Sequence, residues 1–487
     1  MLEMPESLRT EIWQEVIEQI EAYTRRSDDV PVAVAPDRSK LESELNSYDF
    51  SSPLSPRDAI QFAIRLLYDQ VHTGHPRCFG MFDPRPTTMG IAAEMLVAAF
   101  NPQLAAWNMA PGSVETERFL IRWFGKEFGY QDPDGTFTSG GQEANHTALL
   151  TALARAFPEF QQFGLRSLHG QPVFYISSEG HHSFLKAAGS SGLGTASVRE
   201  IPVDYKFRMD TSLLREAIEK DRRAGKLPFL VVATAGTTSS GAIDPTPEIA
   251  RIAKEENLWL HVDAAWGGGV ILVPELRALL DGIELSDSIT FDPHKLLAVP
   301  KGAGLYLTRH KQILDRTFHV RTAYMPIGAT GASEVVHPFS HSLQWTRRFA
   351  GLQVFLSLAV AGRDGYADAL RHQIAMANLL KRKLEADGWT VMNEPDLAVV
   401  CFADKRLAAT SLPAIAAYVV ASGRAWISFT KIGDGIPVLR ACVVNYKTQP
   451  SDLQILCEIL NEARIKLGSK PVEKEKYPWH QTRAISD

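Results

Sequence analysis

The apolar and polar positions divide this 487-residue chain into three parts with different periodicities. Residues 5–26 place apolar side chains at helical spacing and predict one amphipathic helix. A stretch rich in Pro, Ser and Asp follows over 27–58 and predicts an extended connector. From about residue 90 short apolar runs alternate with amphipathic segments, and beyond 350 helices mix with short strands. We therefore expect an N-terminal helical arm over 1–85, a large domain over 86–350 and a small α+β domain over 351–487.

The middle part predicts a mostly parallel sheet. Its apolar, β-branched runs predict strands at 173–177, 198–203, 229–234, 258–262 and 303–307. Helical patterns separate most of these runs, and repeated strand–helix units are typical of an α/β fold with helices on both faces of the sheet. Each unusual loop of this part follows a strand. We therefore expect these loops to meet at the carboxyl edge of the sheet, where such folds bind ligands.

One strand, in the stretch SITFDPHK over 288–295, presents a lysine at its carboxyl end. Proline cannot donate a ladder hydrogen bond, so the strand ends at Asp292 and the loop above the sheet holds His294 and Lys295. A lysine that loses its proton in such a place can form a Schiff base with a carbonyl group. Taken alone, the stretch is more typical of an ordinary surface lysine. Its meaning depends on the neighbouring loops.

Those loops supply an acid, an imidazole and a helix start rich in glycine. Asp263 lies 32 positions before Lys295, so neighbouring strands would bring both to one site. There Asp263 could keep a heteroaromatic nitrogen protonated, while Ala265 and His181 take the two faces of a flat ring. The helix start at 139–141 could bind a phosphate through its N–H groups, although, taken alone, a plain glycine turn with a good N-cap is the better explanation. This combination is what pyridoxal phosphate requires.

Composition argues against several other classes. A net charge of −5 gives no basic field for nucleic acid or anionic lipid. The four cysteines form no Cys-x-x-Cys pair, which favours a reducing compartment and hence the cytoplasm. No apolar run approaches the roughly 18 residues of a membrane span, and the acidic N-terminus does not resemble a signal peptide. No metal site is expected either, because no His-x-x-x-His pair links His181, His182, His261 and His294.

Six motifs carry a resemblance to a known family. In chain order they are TSGGQEAN, SSEGHHSFLKAAG, TAGTTSSGAIDP, WLHVDAAWGGG, SITFDPHK and LRACVVNYKTQPSDL, and their family context covers most of 75–460. Together they resemble the group II pyridoxal-phosphate amino-acid decarboxylases, the family of the aromatic-amino-acid, glutamate and histidine decarboxylases. The resemblance implies the aminotransferase-like fold type I, pyridoxal phosphate as cofactor and a homodimer with active sites at the subunit interface. It also implies that the N-terminal helix lies over the partner subunit.

The resemblance assigns roles to single residues. It makes Lys295 the Schiff-base lysine, Asp263 the partner of the ring nitrogen and His181 the stacking, catalytic histidine. The other cofactor-binding positions that it implies are Gly140, Gly141, Gln142, Thr238, Ala265, Asp292 and His294. Several members carry serine where Gln142 stands, so that contact is expected from the backbone. Arg440 matches the arginine that holds the substrate α-carboxylate, which a guanidinium suits; an arginine paired with a carboxylate on its own strand is the alternative.

Tyr324 is expected to be catalytic. It lies in the polar, glycine-bearing segment 319–342, which predicts a mobile lid. It stands 23 residues before Arg347, as the loop tyrosine of the family does relative to its paired arginines. In the family that tyrosine returns a proton to the substrate carbon after carbon dioxide leaves, and relatives that form aldehydes usually lack it. Tyr324 and His181 together therefore predict simple decarboxylation to the amine.

The substrate side chain depends on the segment near residue 80. Glutamate decarboxylases carry Asn-Gln where this chain has Gly80 and Met81, which argues against glutamate. Met81, Phe82 and Trp107 instead predict an apolar substrate pocket. We therefore expect an aromatic or bulky apolar L-amino acid, although the sequence does not say which one.

Other outcomes stay open on the sequence. Arg77 or Arg348 facing the pocket would favour an acidic substrate. An aldehyde-forming oxidative decarboxylase or a carbon–carbon lyase would use the same cofactor. A non-catalytic paralogue would bind the cofactor without turnover, but the complete set of Lys295, Asp263 and His181 argues against it.

Overall fold

The computed structural model describes residues 2–35, 37–320, 322, 324, 335–394 and 396–468. Within them the strands are β1 (Asp134–Thr138), β2 (Pro172–Ser177), β3 (Val198–Ile201), β4 (Leu227–Thr234), β5 (Trp259–Asp263), β6 (Ser288–Phe291), β7 (Gly304–Thr308), β8 (Thr390–Val391), β9 (Val399–Ala403), β10 (Ser428–Ile432) and β11 (Ile436–Cys442). The α-helices are α1 (Glu6–Arg26), α2 (Arg38–Asn46), α3 (Pro56–Tyr68), α4 (Thr88–Phe100), α5 (Pro111–Glu127), α6 (Gly141–Ala156), α7 (Phe160–Phe163), α8 (Ser183–Ser190), α9 (Thr211–Arg223), α10 (Thr246–Glu255), α11 (Ile313–Phe318), α12 (Gly351–Ala386), α13 (Leu412–Ala421) and α14 (Pro450–Gly468).

The large sheet has the strand order β1-β7-β6-β5-β4-β2-β3. Strands β2 to β6 pair in parallel, whereas β7 runs antiparallel to β1 and to β6. Strand β1 therefore points the same way as the parallel strands, and the loops singled out above all leave the same edge. This confirms the predicted mostly parallel α/β sheet. The reversal of β7 was not predicted; residues 292–303 contain no helix that could carry a parallel crossover, so the chain returns antiparallel.

The second sheet is antiparallel, with the order β10-β11-β9-β8. Its inner face joins the core of the large sheet, because Leu397 and Val399 pack in one apolar cluster with Trp266, which follows β5. Helix α12 also links the two parts, since it packs on α4 and α5 at one sheet and on α14 and β8 at the other. These contacts place β11 beside the edge where the parallel strands end. The domain boundaries predicted at 85 and 350 stay predictions.

Helix α2 was not expected from the sequence, and helix α12 contains a break at a glycine. The predicted connector over 27–58 contains α2, which begins with Asp37 accepting a hydrogen bond from the Lys40 N–H at 3.0 Å. No residue of α2 is buried, so hydrophobic periodicity could not reveal it. Helix α12 spans 36 residues across a break at Gly362, where φ is 67° and ψ is 175°. Glycine permits that left-handed backbone, which lets one long helical element change direction.

Candidate active site

A cavity opens where β1, β4, β5 and β6 end. Eight of the predicted site residues line it: Gly141, Gln142, His181, Thr238, Asp263, Ala265, Asp292 and Lys295. Sequence reasoning missed Asn145, Thr234, Gly236 and Trp266, which line it as well. Parallel strands deliver these side chains to one place because their carboxyl ends meet at one sheet edge.

Lys295 forms an ion pair inside the cavity. Its Nζ lies 3.2 Å from Oδ2 of Asp292, whose side chain is 1% exposed. The other oxygen, Oδ1, is buried without a hydrogen-bond partner in the described chain. A buried carboxylate of this kind balances the positive charge of the lysine side chain. It can also accept a proton from the lysine when the amine reacts.

Asp263 lies beside this pair, as the spacing predicted. The register of β5 with β6 sets Asp263 opposite Thr290, two residues before Asp292. Asn145 Nδ2 donates to Asp263 Oδ2 at 2.8 Å, and the N–H of Ala265 donates to Oδ1 at 3.1 Å. These two donors hold the buried carboxylate, and no cation of the described residues lies within 4.0 Å of it. The donors fix the orientation of the carboxylate.

The start of α6 offers a site for a phosphate. No side chain caps this helix, and neither the Gly141 nor the Gln142 N–H finds an acceptor among the described residues. A Cβ on Gly141 would lie 2.7 Å from Asp292 Oδ2, so only glycine lets the backbone come this close. Gly140 has φ 153°, and its Cβ would lie 3.1 Å from His294 Cε1. Free N–H groups at a helix start attract an anion, which favours the predicted cradle over a plain turn.

The two histidines near this cradle have defined orientations. The Ser183 N–H donates to His181 Nδ1 at 3.2 Å, which leaves the Nε2 of His181 to carry the ring hydrogen. His294 Nδ1 lies 2.8 Å from the carbonyl oxygen of Ala303, so Nδ1 is the donor there. Desolvation lowers the pKa of both histidines, and for His181 the Asp263 carboxylate opposes that shift. Although His181 is open to solvent at the cavity mouth, enough protein surrounds it to favour the neutral ring.

Arg440 lies on β11 and is 6% exposed. It donates to the carbonyl oxygens of Thr238 at 2.5 Å and Gly80 at 2.9 Å, and to Ser428 Oγ at 3.0 Å. Thr238 lines the cavity, so these bonds fix the guanidinium beside it. No carboxylate of the described residues lies within 4.0 Å of Arg440. The alternative, a strand arginine in a salt bridge, is therefore wrong for the described part of the chain.

The three residues predicted to form the substrate pocket do not lie together beside the cavity. Phe82 is buried and stacks on Trp266 with ring centroids 4.6 Å apart, and the Arg440 guanidinium carbon lies 5.6 Å from its ring centre. Met81 is 46% exposed. Trp107 lies outside the cavity lining, where its indole N–H donates to Glu115. Among the described residues, none of these three lines the cavity beside Lys295, but Phe82 contacts Trp266, which does.

Tyr324 also lies away from the cavity of its own chain. Its side chain is 74% exposed and stacks on Trp345, with centroids 6.1 Å apart. Half of the predicted lid over 319–342 lies outside the described part of the chain, so the lid stays a prediction. The structure therefore does not bring Tyr324 to Lys295 within one subunit.

The described residues contain no group of three or more His, Cys, Asp or Glu side chains placed to hold a metal ion. None of their helices is long and apolar enough to cross a membrane. All four cysteines are buried and free.

The residues present fit pyridoxal phosphate. A lysine, a buried carboxylate held by two hydrogen-bond donors and a helix start with free N–H groups lie around one cavity. The unpartnered Asp292 Oδ1 and the glycines that keep Cβ atoms out of the cradle also indicate that this cavity is built for a ligand. Such a fold and site define an enzyme that uses this cofactor at a lysine.

Comparisons with known proteins agree with that class. A family model described as the pyridoxal-dependent decarboxylase conserved domain matches residues 50–405. The aromatic-L-amino-acid decarboxylase of Bacillus atrophaeus is 31% identical over 441 residues, covering 88% of this chain and 90% of the relative. The human cysteine sulfinic acid decarboxylase is 33% identical over 334 residues, or 68% of each chain. The crystal structure of mouse CSAD superposes with a TM-score of 0.85 at 28% identity, covering 94% of this chain and 98% of that one.

The chain belongs to the pyridoxal-dependent decarboxylase family. It is a carboxy-lyase that uses pyridoxal phosphate to remove the carboxyl group of an amino acid. The predicted family, fold, cofactor and reaction class are thereby confirmed.

Proposed function

We propose that the substrate is an aromatic or bulky apolar L-amino acid and that the product is the corresponding amine. The observation that carries this proposal is Arg440, a buried guanidinium without a carboxylate partner in the described chain. Three of its five N–H groups donate to the protein, which leaves two for a ligand. A buried cation requires an anion, and the substrate α-carboxylate can supply it in bidentate geometry.

We assign the cofactor contacts as follows. Lys295 would hold the cofactor through its carbonyl carbon, and Asp292 Oδ2, 3.2 Å away, would accept the lysine proton. Asp263 would keep the ring nitrogen protonated, with His181 and Ala265 on the two ring faces and Thr238 near the ring edge. The phosphate contacts would come from Gly140, Gly141, Gln142 and His294. When bound, the cofactor supplies an electron sink for the bond that loses carbon dioxide.

The surroundings of Arg440 favour an apolar substrate side chain. Phe82 and the stacked Trp266 present an apolar wall beside the guanidinium. The two arginines that would have favoured an acidic substrate are already paired, Arg77 with Asp452 and Arg348 with Glu94. Their charges are neutralised within the chain, so neither offers a free cation to a second carboxylate.

A second candidate is an acidic amino acid. It is favoured by the human relative named for cysteine sulfinic acid, which is as similar as the relative named for aromatic substrates. In that case the side-chain anion would need a cation that the described part of this subunit does not place at the cavity. A partner subunit could supply one.

We also infer a homodimer in which Tyr324 acts on the partner's site. Tyr324 is exposed and lies outside the cavity of its own chain. Apolar side chains are exposed along α1, α4 and α12, which a second copy would cover; they are Trp13, Ile17, Met95, Leu96, Phe100, Phe355 and Val360. From the partner, Tyr324 could return a proton to the substrate carbon and exclude water from it.

We propose the cytoplasm as the compartment of this enzyme. The support is the four free cysteines, which an oxidising compartment would tend to pair or modify. A thiol titration of the native and the unfolded protein tests their reduced state, and a disulfide in protein isolated under thiol-blocking conditions would contradict the proposal.

The test of the substrate is a panel assay on the purified holoenzyme. Each of the twenty common amino acids, dopa and cysteine sulfinic acid is incubated separately, and amine, aldehyde and peroxide are quantified by mass spectrometry and a coupled assay. We expect amine from one or more aromatic or bulky apolar substrates without peroxide. Turnover of cysteine sulfinic acid, aspartate or glutamate alone would select the second candidate, and aldehyde with peroxide would overturn simple decarboxylation.

A further inference from the structure

A buried chain of side-chain hydrogen bonds ends on Asp263. Asn145 Nδ2 donates to Asp263 Oδ2 at 2.8 Å and also reaches Ser183 Oγ at 2.9 Å. Asn145 Oδ1 lies 3.2 Å from His261 Nε2, and His261 Nδ1 lies 2.8 Å from Ser288 Oγ. Asn145 and Asp263 line the cavity beside Lys295. The other members of the chain, Ser183, His261 and Ser288, do not line it.

The direction of every hydrogen bond in this chain follows from chemistry. A carboxylate only accepts, so the Asn145 amide must turn its NH₂ to Asp263 and its oxygen to His261. That oxygen only accepts, so His261 carries its hydrogen on Nε2, which Thr290 Oγ1 also approaches at 3.2 Å. His261 Nδ1 then accepts from the Ser288 hydroxyl. The Ser288 oxygen in turn accepts from the indole N–H of Trp259 at 2.8 Å.

Burial keeps this chain in one arrangement. Asn145 is 1% exposed, and both His261 and Ser288 are 0% exposed. Desolvation lowers the pKa of His261 to about 4, so the ring is neutral near pH 7 and has one acceptor and one donor nitrogen. A neutral histidine can satisfy both neighbours at once, whereas a doubly protonated one would have two donors and could not accept from Ser288. Aligned hydrogen bonds in a dry interior also polarise one another.

We propose that Asn145, oriented by His261, is a positioning residue that fixes the Asp263 carboxylate and keeps the shared proton on the cofactor ring nitrogen. This rests on the role proposed above for Asp263. The Asn145 NH₂ group donates to one oxygen of the carboxylate, which leaves the carboxylate to act as the acceptor toward a protonated ring nitrogen. A protonated ring is the better electron sink for the reaction of this family. Asn145 acts through Asp263 and is not itself a catalytic residue.

The test uses ligands that differ only at the ring nitrogen. Apoenzyme is titrated with pyridoxal phosphate and with its 1-deaza analogue, in which carbon replaces that nitrogen, and the Kd of each is measured by fluorescence quenching. Asn145→Leu should weaken pyridoxal phosphate by about tenfold or more, the loss of one charge-assisted hydrogen bond. The Kd of the deaza analogue should change by less than about threefold, because it makes no bond to Asp263.

Two further variants make the test decisive. Ser183→Ala removes the other acceptor of the Asn145 amide and should leave both Kd values within about threefold of the parent. Because Asn145→Leu could fail to fold, His261→Phe and His261→Gln provide a second route. Phenylalanine removes the bond to Asn145 and should cause a selective loss for pyridoxal phosphate, whereas glutamine restores an N–H at the Nε2 position and should recover the affinity.

Equal weakening of both ligands by Asn145→Leu and His261→Phe would show a merely structural role and overturn the proposal, as would no change in either ligand. Asp263→Asn distinguishes failure of the role proposed for Asp263 from failure of the role proposed for Asn145. If it shows no selective loss for pyridoxal phosphate, the role of Asp263 fails. If it shows that loss while Asn145→Leu and His261→Phe do not, only the positioning role of Asn145 fails.

Discussion

Lys295 and Asp292 form an ion pair of 3.2 Å in which the carboxylate is almost completely buried. Asp292 Oδ2 also lies only 2.7 Å from the position that a Cβ on Gly141 would take, so the pair packs directly against the start of α6. In the proposed assignment, the lysine that reacts with the cofactor therefore lies beside a carboxylate that can take its proton. This arrangement predicts how fast the cofactor attaches.

Asp292→Asn should slow the attachment of pyridoxal phosphate to Lys295 by at least about tenfold, because the amide cannot accept the lysine proton. Stopped-flow absorbance of the lysine-bound cofactor after mixing apoenzyme with pyridoxal phosphate measures this rate. The matched control is Asp83→Asn, which breaks an exposed pair with Lys301 and should not change the rate. A parental rate in Asp292→Asn would remove Asp292 from this role.

Tyr324→Phe should shift the product from amine toward aldehyde, because the substrate carbon then lacks its proton donor. Mass spectrometry of products formed from the preferred substrate measures the ratio. Tyr205→Phe, at another exposed tyrosine, is the control and should keep the parental ratio. An unchanged amine yield in Tyr324→Phe would show that another group delivers the proton.

Co-expression tests whether Tyr324 acts across a dimer. Lys295→Ala and Tyr324→Phe chains each lack one function, but a mixed dimer would contain one site with both residues if Tyr324 serves the partner. Random pairing then restores about a quarter of the parental amine-forming activity. If Tyr324 serves its own chain, the mixture stays as inactive in amine formation as the separate variants.

Arg440→Lys should raise KM for the amino acid by about tenfold or more, because a lysine cannot offer two parallel N–H groups to a carboxylate. The Kd for pyridoxal phosphate should stay at its parental value. Steady-state kinetics and cofactor titration measure the two quantities. Arg406→Lys, at an exposed arginine that pairs with the buried Asp404, is the control. A parental KM in Arg440→Lys would place the α-carboxylate elsewhere.

His261 predicts a pH dependence of stability. Its pKa is about 4 in the folded chain against an ordinary 6.5, so below pH 6.5 the unfolded chain takes up a proton that the folded chain refuses. The stability that the neutral ring contributes is fully present above pH 6.5 and lost as the pH falls to about 4. The loss relative to His261→Gln, which keeps an N–H but does not titrate, is on the order of 3 kcal/mol. Equal pH slopes of Tm in the two proteins would contradict it.

The parallel core and its site were predictable because their signals are local. Apolar runs mark the strands, and parallel strands deliver the loops that follow them to one edge, which explains why Asp263 and Lys295 could be paired from sequence. Helix α2 was missed because none of its residues is buried. Asn145 was missed because its hydrogen bond to Asp263 depends on how α6 packs against β5. Trp107 was wrongly placed in the pocket because its indole N–H donates to Glu115 instead. Such contacts between distant elements leave no pattern in the chain.

The most direct measurement locates the lysine that carries the cofactor. The holoenzyme is reduced with borohydride, which fixes the cofactor to the amine that holds it, and the digested protein is mapped by mass spectrometry. The account predicts a pyridoxyl group on Lys295 and none on the neighbouring Lys301. The same label on Lys301 or another lysine, with Lys295 unmodified, would contradict it.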